Sequence, residues 1–289
     1  MTGIEKDDIT GTDTTGHEWD GIKELNNPLP RWWLWTFYAT AIWGLIYSIA
    51  YPAWPLIEGA TAGWLGYSSR GTVMEQIAKD KQAKAKYLQD IERMPLKDIL
   101  KNAELRRFAI AGGRSSFAVN CVQCHGSGAT GSKGYPNLND DDWLWGGDIE
   151  AIYQTIAHGI RFDEDEDTRL SEMPKFLTDG VLTAAQISDV TAHVQSLSGV
   201  KHDKAAAGRG APLFKENCAS CHGEKGEGDR TQGAPKLNDA IWLFGSDKNS
   251  ISNMISFAKR SVMPGWKGRL DAATLKKLAI YVHALGGGE

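Results

Sequence analysis

Between Trp32 and Ile57 the chain carries no charged residue. The run reads WWLWTFYATAIWGLIYSIAYPAWPLI and is apolar all round, not striped like a half-buried helix. About 20 apolar residues cross a hydrocarbon core of ~30 Å. Trp32, Trp33 and Trp35 at one end, and Tyr51 and Trp54 at the other, fit interfacial aromatic belts. Pro52 and Pro55 are placed to end the helix. A polar segment, 1–31, precedes the run and no small-residue cleavage site follows it. The pattern predicts an uncleaved anchor over 32–57, not a signal peptide.

The pattern then changes. Residues 59–69 are rich in Gly, Ser and Thr and read as a loop. Residues 72–94 are charged and lack a central breaker, which predicts a solvated helix. Pro95 opens a second helical stretch ending near Gly112 and Gly113. Together, 58–104 form a helical lead-in.

The remainder repeats itself. Gly113, Phe117, Asn120, Cys121, Cys124, His125 and Gly126 match Gly210, Phe214, Asn217, Cys218, Cys221, His222 and Gly223 at a constant offset of 97. Pro136, Leu138, Trp143, Gly146 and Asp148 then match Pro235, Leu237, Trp242, Gly245 and Asp247. Met173-Pro174 matches Met263-Pro264. Two modules follow, 105–199 and 204–289. Each predicts a helix carrying a Phe, a Gly-rich loop, a short helix (149–158; 248–259), a Met-Pro loop and an amphipathic closing helix (183–197; 271–285).

Composition changes the picture at one point. The four cysteines fall into Cys121-Val122-Gln123-Cys124-His125 and Cys218-Ala219-Ser220-Cys221-His222. C-x-x-C-H is the attachment signature of c-type haem. Two thiols bond the vinyl groups and the adjacent His ligates the iron. A zinc site needs four converging ligands, and a redox C-x-x-C needs no His. The motifs therefore predict two covalently bound haem c groups, on a mainly α fold of two tandem class I cytochrome c-like domains. With no cysteine left over, packing and haem burial must hold the domains in place of disulfides. The formal net charge is −4 and no basic stripe occurs, which argues against nucleic acid.

The sixth ligands are predicted from the repeat. Met173 and Met263 stand at equivalent positions, 48 and 41 residues after their His, and each precedes Pro. His/Met ligation suits electron transfer. The simple assignment pairs Met173 with the first haem and Met263 with the second; two facing modules could also exchange their Met loops. His158, His193 and His283 lack matching histidines and are predicted as surface or core residues, and His202 as a linker residue. Met254 is expected to pack. Trp143 and Trp242 either line the haem crevice or pack in the core. Arg161, Arg169 and Lys236 are candidate propionate partners. The acidic run 163–167 is either a solvated loop or a steering surface for a basic donor.

The prelude to the apolar run carries a resemblance. Gly16-His17-Glu18-Trp19-Asp20-Gly21-Ile22, then Glu24-Leu25-Asn26-Asn27-Pro28-Leu29-Pro30, leads into Trp32-Trp33, and Pro52-Ala53-Trp54-Pro55 follows the span. Nearly the whole chain resembles the dihaem cytochrome c subunits (subunit III) of cbb3-type cytochrome c oxidases. That resemblance implies one transmembrane helix in a bacterial inner membrane, with the N-terminus cytoplasmic and the haem domains periplasmic. It implies a soluble cytochrome c donor, and a monohaem subunit and a catalytic b-haem/copper subunit as partners. The complex would reduce oxygen and pump protons, with no oxygen chemistry on this chain. By the same resemblance Cys121, Cys124, Cys218 and Cys221 hold haem, with His125, His222, Met173 and Met263 as axial ligands. A dihaem subunit of a periplasmic dehydrogenase and a dihaem peroxidase are the alternative classes.

Overall fold

Asp20 and Gly21 both take positive φ, 52° and 87°, and so close a two-residue hairpin turn. The turn joins β1 (Thr14–Trp19) to antiparallel β2 (Ile22–Leu25). The computed structural model describes residues 3–259 and 261–289. The first two residues of the polar segment 1–31 lie outside the described ones, and from Thr14 the segment forms this hairpin.

Helix α1 spans Arg31–Ala50 and has no buried residue. It is shorter than the 32–57 run, because Tyr51 turns extended and Pro52 and Pro55 offer no donor. The small hairpin β3 (Pro55–Leu56) and β4 (Gly59–Ala60) follows. No helix among the described residues is long and apolar enough to cross a membrane. These elements belong to one compact unit, up to Ala83; residues 84–289 form a second.

Helix α2 (Ser69–Arg93) leads into the second unit. Then come α3 (Leu96–Lys101), α4 (Ala103–Asn120), α5 (Val122–His125), α6 (Ile149–His158), α7 (Ala184–Leu197), α8 (Lys204–Asn217), α9 (Ala219–His222), α10 (Lys248–Phe257) and α11 (Ala272–His283). Six of the starts are side-chain capped: Asn102, Asp148, Asp203, Asp247 and Asp271 accept from first-turn amides, and Thr183 forms a capping box with Gln186. Such a cap is worth about 1 kcal/mol. The expected break at Gly112 and Gly113 does not occur, because α4 runs through to Asn120.

Gly113 has a different task. An added Cβ there would lie 2.1 Å from the Lys277 carbonyl oxygen on α11. Gly210 on α8 meets the Asp189 carbonyl oxygen on α7 at the same 2.1 Å. Backbones therefore come close where α4 crosses α11 and where α8 crosses α7. Each opening helix packs against the closing helix of the other repeat.

Two separate cores confirm the exchange. One gathers Phe176, Leu182, Ile187, Val190, Val194, Phe214, Ile251 and Ile255 from a single continuous stretch. The other joins Ile91, Leu105, Phe117, Ile149 and Ile152 to Leu275, Leu278, Ile280 and Val282 across that stretch. Within the compact unit 84–289 each core therefore draws on both repeats, 105–199 and 204–289: in sequence, a central domain built from one stretch is inserted into an outer, discontinuous one. Lys276 ties the outer domain further, donating to the carbonyls of Ile91, Glu92 and Met94 at 3.1, 2.8 and 2.7 Å, where α2 ends. Gly113→Ala and Gly210→Ala are each expected to cost at the upper end of ~1–3 kcal/mol by overpacking. Thermal unfolding would register this as a fall in the melting temperature of the outer and the central domain respectively.

Candidate haem sites

Helix α4 delivers Cys121, and α5 carries Cys124 and His125; α8 and α9 deliver Cys218, Cys221 and His222 in the same way. Phe117 and Phe214, both almost fully buried, back the two helix ends. Each His is then fixed by a carbonyl. His125 Nδ1 lies 3.2 Å from the Pro136 oxygen, and His222 Nδ1 lies 3.0 Å from the Pro235 oxygen. A carbonyl only accepts, so Nδ1 carries the proton and Nε2 keeps its lone pair for a metal. Burial holds both imidazoles below their ordinary pKa, partly offset by those hydrogen bonds, and so favours the neutral ligand form. Pro136 and Pro235 were visible as repeat matches, but nothing in the sequence says that their carbonyls orient the histidines.

Burial pushes the Cys121 and Cys218 thiols up to about 11, with a smaller contribution from the neighbouring Cys124 and Cys221. A redox-active C-x-x-C depresses the pKa of its nucleophile. These sites do the reverse, as structural attachment points would.

The methionines reach the opposite repeats. Met173 lines a cavity with Cys218, Cys221 and His222, beside Trp242 and Leu237. With its open mouth the cavity holds about 1480 Å³ of space and its walls are mainly apolar. The Met173 loop is stitched to α10: Phe176 N donates to the Ile255 oxygen at 3.1 Å, and Thr178 Oγ1 to the Ser256 oxygen at 3.3 Å. Met263 packs instead against the outer core, which Cys121, Val122 and Trp143 also flank. Its loop is stitched to α6, with Ile160 and Met263 exchanging backbone bonds of 2.9 and 3.1 Å and Trp266 N donating to the Ile156 oxygen at 3.1 Å. Met173 thus shares a cavity with His222, and Met263 flanks the same core as Cys121; thioether and imidazole together suit a low-spin haem iron.

The other candidates separate by their partners. Trp143 donates its indole N–H to the Gly287 carbonyl, while Trp242 faces the cavity. Arg169 stacks over Trp145 at 5.2 Å and donates to Thr155 Oγ1 at 2.9 Å, so it serves the scaffold. Arg161 and Lys236 line the cavity, and Met254 does as well. His193 stacks beside Phe214 at 5.1 Å, His283 Nε2 contacts the Glu289 carbonyl oxygen at 3.0 Å, and His202 Nδ1 contacts that of Val200 at 2.7 Å.

The acidic loop is partly turned inward. Buried His158 places Nδ1 3.0 Å from Asp165, whose carboxyl is held below the usual carboxylate range mainly by that hydrogen bond. Asp167 lies 3.7 Å from Lys267, and Glu164 lies 3.5 Å from Arg269. Three of the five acids therefore have cationic or histidine partners within the protein.

Paired helical C-x-x-C-H sites with half-buried, neutral-favouring histidines define a c-type cytochrome carrying covalent haem. Comparison with known proteins narrows the class. Residues 11–58 match the N-terminal domain of cytochrome oxidase-cbb3, FixP. Residues 110–198 match cytochrome c, and residues 205–282 match the cbb3-type cytochrome c oxidase subunit III family. The chain is 52% identical over 276 residues to the cbb3-type cytochrome c oxidase subunit CcoP of Cereibacter sphaeroides, covering 96% of this chain and 95% of that one. It is 50% identical over 283 residues to subunit FixP of Rhizobium meliloti, covering 98% and 97%. Subunit CcoP of Azospirillum brasilense is 49% identical over 296 residues, with both chains fully covered. The chain belongs to the CcoP/FixP family of cbb3-type cytochrome c oxidase subunits.

Proposed function

We propose that the chain holds two haem c groups with crossed ligands and relays electrons from a soluble periplasmic cytochrome c to the catalytic subunit. It is an electron-transfer subunit of a cbb3-type oxidase and not an enzyme on its own. The haems supply one-electron redox chemistry when bound. Cys121 and Cys124 hold one covalently, with His125 and Met263 as axial ligands. Cys218 and Cys221 hold the other, with His222 and Met173. What supports this reading is that Met173 lines the His222 cavity and that Met263 and Cys121 flank the same outer core. Sulfur on both sites leaves no open position for peroxide, which weighs against a peroxidase.

Helix α1 is the proposed single membrane anchor, with the haem domains on the periplasmic side of a bacterial inner membrane. Its 20 residues reach about 30 Å at 1.5 Å per residue. Four Trp and two Tyr lower its average apolarity through their single polar atoms, yet such rings favour the membrane interface. Exposed large side chains all along α1, among them Trp32, Ile42, Trp43 and Ile46, would be an unusual surface in water. The catalytic b-haem/copper subunit and a monohaem cytochrome subunit are the proposed partners.

The test is one purification from detergent-solubilised membranes. We expect two covalent haems per chain, both low-spin, and co-purification with a b-haem/copper subunit. Removing residues 3–50 is expected to release the haem domains to the soluble fraction. A high-spin haem, or a complex lacking the copper subunit, overturns the reading.

A further inference from the structure

Ser171-Glu172-Met173-Pro174 and Ser261-Val262-Met263-Pro264 are equivalent loops, and one side chain touches both. Arg161 Nε donates to the Ser261 carbonyl oxygen at 2.9 Å, and Arg161 Nη1 donates to the Ser171 carbonyl oxygen at 3.1 Å. Each carbonyl lies two residues before a methionine. We propose that Arg161 is a shared positioning residue that sets both methionine loops together and so couples the two haem sites. The proposal rests on the crossed Met173 and Met263 ligation argued above.

Its place in the chain supports this role. The chain enters the inserted central domain around Arg161–Ser171 and leaves it at Lys259. Arg161 stands at that neck and also lines the His222 cavity. Its backbone has φ +53°, a left-handed conformation that a long side chain seldom adopts without compensation. Neighbouring bonds hold it there: Arg161 N donates to the Arg169 oxygen at 2.9 Å, and Ile160 N donates to the Met263 oxygen at 2.9 Å. The guanidinium is a rigid fork of donors, suited to holding two acceptors in fixed register, whereas an ammonium is a single point charge. The charge also matters. A fixed cation lining the His222 cavity would oppose the extra positive charge of a ferric iron held there, and a firmly seated thioether raises the potential. Loss of Arg161 loosens both methionine loops and removes that charge from the His222 cavity, so both potentials should fall.

The test is potentiometric titration of the purified complex carrying Arg161→Gln or Arg161→Lys, together with the sulfur-to-iron charge-transfer band that reports His/Met ligation. In R161Q both midpoint potentials are expected to drop, with the band weakened at both haems. R161K is expected to fall between R161Q and the parent at both. Movement of only one haem, movement of neither, or full restoration by Lys overturns the proposal. If R161Q yields no holoprotein, R161K decides alone, and potentials equal to the parent's sink the idea. Parallel Met173→Ala and Met263→Ala variants keep the two claims apart. If each removes one His/Met signature while R161Q changes nothing, the ligation stands and the Arg161 role fails. If neither Met variant removes a signature, the ligation itself is wrong.

Discussion

Replacing Met173 and His222 together is expected to leave one His/Met haem intact, whereas replacing Met173 and His125 together leaves none. The contrast follows from the crossing. Met173 shares its cavity with His222, so the double change M173A/H222A strikes one iron twice. On the proposed ligation Met263 then still serves the haem at Cys121 and Cys124, since it flanks the same core as Cys121. M173A/H125A strikes both irons once each. Uncrossed ligation predicts the opposite outcome, and neither result requires knowing which spectral feature belongs to which haem. The measurement is the intensity of the sulfur-to-iron band per protein, with potentiometry beside it. Exchange of the thioether should lower the affected potential by a sizeable part of the ~0.8 V that axial ligands span. Two surviving signatures in either single methionine variant would remove that methionine from the ligand set.

Much of this arrangement was legible in the chain, and the parts that were not have physical reasons. The C-x-x-C-H helices, the short helices after the Gly-rich loops and the closing helices are local patterns, and they fold at 122–125, 149–158, 184–197, 219–222, 248–257 and 272–283. The hairpin at Asp20-Gly21 was also signalled, by an Asp-Gly pair that is the strongest short turn cue, but the polar flanks hid its strands. Gly112-Gly113 misled because a glycine that stops a helix and one that lets another backbone approach look alike in sequence. The crossing was hidden by the repeat itself. Both closing helices are amphipathic, both loops carry Met-Pro, and pattern alone makes α7 and α11 interchangeable. The connection Ser198–Asp203 breaks that tie. It is too short to carry α8 away from α7, and such connections place helices as antiparallel neighbours. With α7 pairing α8, α4 is left to α11.

The inserted arrangement makes an unusual fragment the stable one. A segment from Leu170 to Lys259 contains the Met173 loop, α7, α8, the second C-x-x-C-H and α10. Every member of the central core lies within it, from Met173 to Ile255. Matured on its own, it is expected to form a single-haem domain with His/Met ligation. The module read from the repeat, 105–199, is expected to fail. It keeps α4 without α11 and α7 without α8, and it loses Leu275, Leu278, Ile280 and Val282, all buried in the outer core. Each such side chain contributes ~1.5–3 kcal/mol by burial. Four of them approach the whole ~5–15 kcal/mol that holds a domain folded. Far-UV circular dichroism and the sulfur-to-iron band decide between the fragments. A folded His/Met haem in 105–199, with an unfolded 170–259, would mean that the helices pair within their own repeats after all. Success of 170–259 alone would make the central domain an independent electron carrier, and leave the outer domain as the one whose folding waits for the last helix of the chain.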